Sequence, residues 1–137
     1  AGIASYLKHQ NRHIKVFGCE PKASAVMAAS VKAGKVLQMK TYPTLSNATA
    51  GGLESDSITF PMCKKLVDGY YTLTEREISR AIFIALTKLH KVFEGAGALP
   101  VAALLKNRNR FKNKIVVLVV SGSNLATKDL KKIIHSE

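Results

Sequence analysis

The sequence predicts an α/β fold, a mostly parallel sheet flanked by helices, in one unit over residues 1–137. Three observations predict it. Short apolar stretches alternate along the chain with segments of helical periodicity, the pattern of strands joined by crossover helices. The stretch Lys114 to Val120 is apolar after its first residue, without alternation, as in a strand covered on both faces. Ile78, Ala81, Ile82, Ala85, Leu86 and Leu89 fall on one helix face.

The elements follow in order. Ile3, Ala4 and Leu7 predict a first helix from Gly2 to about Asn11. Ile14 to Cys19 predicts a short strand that Glu20 and Pro21 end, and alanine-rich 23–33 predicts a helix with Gly34 as its C-cap. Residues 35–58, with Pro43 and the pair Gly51 and Gly52, read as a long irregular loop, a length that often marks function. Thr59 to Asp68 predicts a helix with Phe60, Cys63, Leu66 and Val67 inward and Gly69 as its stop, and Tyr70 to Leu73 a strand. Thr74 and Glu77 form a capping box at the start of the most periodic helix. Gly95 to Gly97 reads as flexible, with Pro100 in the first turn of a helix through Leu105. After the strand at Lys114 to Val120, Lys128 to Ile134 predicts a closing helix.

Composition narrows the class. The chain is 47% hydrophobic and 22% charged, a globular balance, and no apolar run reaches the length of a membrane span. The first residues have neither a basic region nor a long apolar stretch, so no signal peptide is read there. Cys19 and Cys63 fit neither a disulfide framework nor a zinc set, and a reduced, cytoplasmic setting is expected. His9, His13, His90 and His135 show no metal-site spacing, and Lys32 and Lys35 read as solvated lysines rather than nucleophiles. The net charge of +12 and five basic residues within 106–114 suggest a phosphate-contacting strip. Only Phe111 accompanies that run as a stacking surface, so a solvated loop is the reading preferred over a nucleic-acid site.

In parallel α/β sheets, ligands sit beyond the carboxyl ends of strands. The segment Ser121, Gly122, Ser123 and Asn124 follows the apolar strand, so the Ser121 hydroxyl is expected to project into such a cleft; a turn before the last helix would use the same residues. Glu94, beside the glycines at 95 and 97, and Glu20, at a strand end, are candidate site carboxylates or ordinary surface residues.

An ordered set of stretches then carries a resemblance: "AGIASYLKHQNRHIKVFGCEP", "TLSNATAGGLESDSITF", "KLVDGYYTLTEREI", "VFEGAGALPVAAL" and "VVLVVSGSN". Together they resemble the pyridoxal-phosphate-dependent threonine and serine dehydratases, fold-type II enzymes that include serine racemase and the tryptophan synthase β-chain. The likeness is nearest to the threonine ammonia-lyase branch and runs from Ala1 to about Asn124.

The resemblance implies β-elimination from a hydroxy amino acid, giving a 2-oxo acid and ammonia. It further implies that residues 1–137 match the C-terminal part of such an enzyme. The lysine that joins the cofactor and the glycine-rich phosphate loop would lie upstream, so no catalytic residue is expected here and this part alone is expected to be inactive. Ser121 would bond the pyridine nitrogen, Gly122 and Asn124 would shape that end of the site, Glu94 would line it, and the backbone at Ala48 would pass close to the cofactor. The partners implied are the upstream part of the fold and an amino-acid substrate, with a homo-oligomer contact as a further option; no membrane partner is expected. Two departures stand out: Asn47 and Ala48 replace the family's usual Asp-Gly, and Val26 occupies a place where some members carry an acidic metal ligand. Glu20 is left as a weak metal candidate.

Overall fold

A computed structural model describes residues 1–136. Six helices and two strands run in the order α1 (Gly2–Gln10), β1 (Phe17–Pro21), α2 (Val26–Ala33), α3 (Thr59–Leu66), β2 (Gly69–Leu73), α4 (Glu75–Lys88), α5 (Gly95–Lys106) and α6 (Thr127–Ser136). β1 and β2 pair in parallel, with Phe17 opposite Gly69 and Pro21 opposite Leu73. The mixed α/β class with a parallel sheet and flanking helices is therefore the one expected.

Alternation along the strands divides their side chains between two layers. Cys19, Tyr71 and Leu73 point toward the core formed with α4 and α5. Gly18 and Tyr70 face the other way, and the Tyr70 ring lies across the space a Gly18 side chain would need. β1 begins three residues later than expected, because its pairing is set by Asp68. The Asp68 N–H donates to the Val16 carbonyl at 2.8 Å, and its carboxylate accepts from the Val16 N–H at 2.8 Å.

The capping box at Thr74 and Glu77 is complete, and Ile78, Ala81, Ile82 and Ala85 are buried at the expected spacing. Leu89, expected inward, is exposed. The helix has ended at Lys88, and His90 turns the chain with φ 55°. Residues 35–58 hold only a single 3-10 turn, Asn47–Thr49.

Two expectations are corrected. Gly95 to Gly97 is not a link before the helix but part of it. α5 starts there, is buried from Gly95 through Leu99, and carries Pro100 in its interior rather than its first turn. Low helix propensity is overridden by close approach, because a Cβ on Gly95 would overlap the Leu45 carbonyl and lie 2.6 Å from the Ser46 nitrogen. The stretch Lys114 to Val120 is not a ladder strand. Among the described residues the sheet contains only β1 and β2, and nothing pairs with this stretch. Ile115 is fully exposed and Val117 82% exposed, so the apolar run has no second face to bury; Leu118 alone packs on the core. Among the described residues, no helix is long and apolar enough to cross a membrane.

Candidate functional site

The N-terminus of α5 brings several predicted residues together. Glu94 is its N-cap in an extended conformation, φ −75° and ψ 171°, and its side chain does not cap the helix. The Glu94 N–H instead donates to the Gly122 carbonyl at 3.1 Å, which holds the 120–122 segment across the helix end. The Glu94 carboxylate lies where a Cβ on Gly122 would sit, and the Gly122 carbonyl lies 2.6 Å from where a Cβ on Gly97 would sit. Glycine at 122 is thus what allows the carboxylate and the backbone to approach. A helix N-terminus carries partial positive charge, which favours a carboxylate there.

Ser121 and Asn124 are exposed and Glu94 is half-buried. None of the three side chains has a hydrogen-bond partner among the described residues. Neither the cavity lined by Leu105 to Arg110 nor the one lined by Glu20, Val26 and Ala48 includes Ser121. Its hydroxyl stands open beside the α5 end rather than at the floor of an enclosed cleft.

The 3-10 turn Asn47–Thr49 packs against α5. Thr44 and Leu45 lead into it. Thr44 Oγ1 donates to Glu75 Oε1 at 2.6 Å, and the Leu45 N–H donates to Glu75 Oε2 at 2.7 Å. The Ser46 N–H donates to Thr44 Oγ1 at 3.1 Å, and the hydroxyls of Ser46 and Thr49 share a bond of 2.6 Å. Ala48 is exposed and outside the left-handed region, so the side chain in place of the family's glycine strains no backbone. Sequence reasoning missed Glu75, crediting the capping box to Glu77 alone. The signal was a second carboxylate in the first turn that the box does not use.

Ala48 also lines a cavity of about 270 Å³ with Glu20, Val26, Met27, Gly51 and Gly52. Glu20 is committed there. Its Oε1 accepts from the Met27 N–H at 3.1 Å and its Oε2 from the Ala28 N–H at 2.7 Å, so a strand carboxylate caps α2, whose own N-cap Ala25 has no capping side chain. Burial pushes its pKa up, and the two helix N–H bonds offset part of that rise. Burial and then Glu20 push the neighbouring Cys19 thiol up to about 11. Val26 is buried beside this carboxylate and offers no ligand atom, and among the described residues no group of three His, Cys, Asp or Glu could hold a metal ion. Lys32 and Lys35 are exposed on and beyond the end of α2.

The basic run is partly consumed by the fold. Lys106 Nζ sits 3.0 Å from the Glu77 carboxylate. The Arg110 guanidinium lies 5.3 Å from the Phe17 ring centroid and 5.8 Å from that of Tyr71, and Phe111 meets both rings edge-on. Phe111 is therefore held in an aromatic cluster. A cavity of about 530 Å³ beside it is lined by Leu105 to Arg110.

Comparison with known proteins gives one family over most of the chain: the family described as "Pyridoxal-phosphate dependent enzyme" matches residues 1–122. An L-threonine ammonia-lyase of Thermotoga maritima is 35% identical over 135 residues, covering 98% of this chain and 33% of that protein. Among solved structures, the processed threonine deaminase isoform 2 of Solanum lycopersicum is similar with a TM-score of 0.88 and 27% identity, covering 98% of this chain and 39% of that one. Maize serine racemase has the same fold with a TM-score of 0.85 at 24% identity, over 98% of this chain and 42% of that one. The chain spans about a third of the length of the curated relatives it matches.

Proposed function

Because the chain belongs to the pyridoxal-phosphate-dependent enzyme family, we propose that it forms the C-terminal part of an enzyme that deaminates threonine or serine to a 2-oxo acid and ammonia. The observation that carries this reading is the Ser121 hydroxyl, without a partner among the described residues and next in the chain to Gly122, which packs on Glu94 at the N-terminus of α5.

The residues present fit the ring end of the cofactor. Bound pyridoxal phosphate would supply the electron sink for loss of the α-proton and the β-hydroxyl. Ser121 offers a neutral hydroxyl that donates or accepts, and so holds a ring nitrogen without forcing a proton onto it. The 120–122 segment is fixed for that task by the Glu94 N–H. Glu94 and Asn124 supply polar atoms at the same end, and the Ala48 turn packs against α5. The lysine that joins the cofactor and the phosphate loop are assigned to the upstream part of the fold. That part is the first partner of these residues, and a small hydroxy amino acid is the substrate.

Two preparations test the proposal: the intact protein and a polypeptide of residues 1–137. Each is supplied with pyridoxal phosphate and L-threonine or L-serine, and 2-oxo acid is measured. The intact protein is expected to turn over and to be labelled at one lysine outside these residues on borohydride reduction. The short polypeptide is expected to do neither. An intact protein that takes up no cofactor, or a short polypeptide that turns over threonine, overturns the proposal.

A further inference from the structure

The first turn of α4 contains two carboxylates with separate tasks. Glu77 closes the capping box, accepting from the Thr74 N–H at 2.8 Å, and also meets Lys106. Glu75, two residues earlier, contributes nothing to that box. Both of its oxygens cross to a distant segment: one takes the Thr44 hydroxyl and the other the Leu45 N–H. A carboxylate accepting two donors is a strong and directional fixing point.

The fixed segment carries its position onward. Thr44 accepts from the Ser46 N–H, and Ser46 and Thr49 close the turn through their hydroxyls. Ser46 is fully buried. The Leu45 carbonyl rests on Gly95, where no side chain would fit, and Gly95 is the first residue of the helix whose N-cap is Glu94. A chain of direct contacts therefore links Glu75 to the turn bearing Ala48 and to the end of α5 where Gly122 sits.

We infer that Glu75 is a positioning residue, which sets the separation between the Asn47–Thr49 turn and the α5 end by holding Thr44 and Leu45. The inference deepens the reading of this place as the ring end of a cofactor site, and the part concerning cofactor rests on that reading. Glu75 touches no reacting atom; it acts through the turn.

The test is amide hydrogen exchange on the intact protein and its Glu75→Gln variant, with cofactor titration of both. Glutamine keeps the shape of the side chain but has one acceptor oxygen where two are used. Exchange at the Leu45 and Ser46 amides is expected to quicken by about tenfold or more, while amides in the interior of α4 keep their rates. Pyridoxal phosphate affinity is expected to fall several-fold, and Glu75→Asp is expected to restore part of the loss. Unchanged exchange at Leu45 overturns the inference whatever the cofactor does. Faster exchange at Leu45 and Ser46 with unaltered cofactor affinity also overturns it, because the turn would then move without consequence. If the unsubstituted protein binds no cofactor at all, the functional reading fails, and the exchange data still decide whether Glu75 holds the turn. Glu75→Ala serves as a second variant, and parallel loss of protection throughout α4 would make Glu75 a general stability residue and overturn the inference.

Discussion

Ser121 and Cys19 are both small and polar, and their surroundings leave them opposite freedoms. The Ser121 hydroxyl has no partner among the described residues and is exposed, so removing it costs the fold almost nothing. Ser121→Ala is expected to leave the urea midpoint unchanged and to weaken pyridoxal phosphate binding by about 2- to 10-fold, the worth of one hydrogen bond. An identical cofactor titration for the two proteins would remove Ser121 from the site. Cys19 is half-buried between the sheet and the core, and burial and Glu20 raise its pKa from 9.0 to about 11. The thiolate is the reactive form, so its share near pH 8 drops by roughly a hundredfold. Peptide-resolved alkylation near pH 8 is expected to label Cys19 far more slowly in the folded protein than in urea; equal rates would show that burial does not hold the thiol. At this scale the sequence revealed residue types well. It marked Ser121, Gly122 and Glu94, which the fold does bring to one helix end. It left Glu20 open between a weak metal candidate and a surface residue, because no spacing rule shows that a strand carboxylate will cap a helix seven residues on.

Elements are joined here by a few polar and small residues, and each junction has a testable consequence. Asp68, at the start of β2, takes Lys8 from α1 at 2.6 Å, Lys15 at 3.1 Å and the Val16 N–H. Burial alone would raise its pKa; the bonds from Lys8, Val16 and Lys15 outweigh that and pull it from 3.8 to about 2. A carboxyl with a depressed folded pKa stabilises fully above its unfolded value. Its contribution is therefore complete above about pH 4 and fades as pH falls toward 2. Urea unfolding followed down that range is expected to show a loss that Asp68→Asn lacks, and parallel curves would refute the assignment. Gly95 tests the other kind of junction. Alanine is the better helix former by about 1 kcal/mol in an exposed helix. Here its Cβ would overlap the Leu45 carbonyl, so Gly95→Ala is expected to destabilise by about 1–3 kcal/mol in urea unfolding. A stabilised variant would mean that the loop is not seated on α5. Periodicity and caps made α1, α3, β2, α4 and α6 legible almost to the residue. The start of α5 was not, because its glycines are there to admit neighbours from residues 45 and 122, and such neighbours leave no mark in the local sequence.

For the whole molecule, the decisive feature is the stretch that the sequence assigned to a strand and the fold leaves unpaired. Ile115, Val117 and Val119 are exposed at 100%, 82% and 51%, and among the described residues no strand lies beside them. An apolar, mostly β-branched run without a neighbour is an open edge, and open edges associate. The same residues are what a parallel sheet buried on both faces requires. The apolar pattern demands burial, and the strand buried on both faces that it predicted is not formed among residues 1–136. What it cannot state is which segment meets that demand, since pairing depends on residues far away in the chain. The chain spans about a third of its curated relatives, and on the functional reading the remainder of the fold covers this edge. A polypeptide of residues 1–137 is accordingly expected to bind an apolar fluorescent dye and to self-associate in light scattering as its concentration rises. Val117→Lys is expected to reduce both while leaving its unfolding midpoint unchanged, because that side chain contacts little of this part of the fold. In the intact protein the same substitution is expected to lower stability by about 2–4 kcal/mol, since it would bury an unpaired ammonium. A monomeric, dye-silent polypeptide would show that the edge needs no cover, and an intact protein indifferent to lysine at 117 would show that nothing covers it.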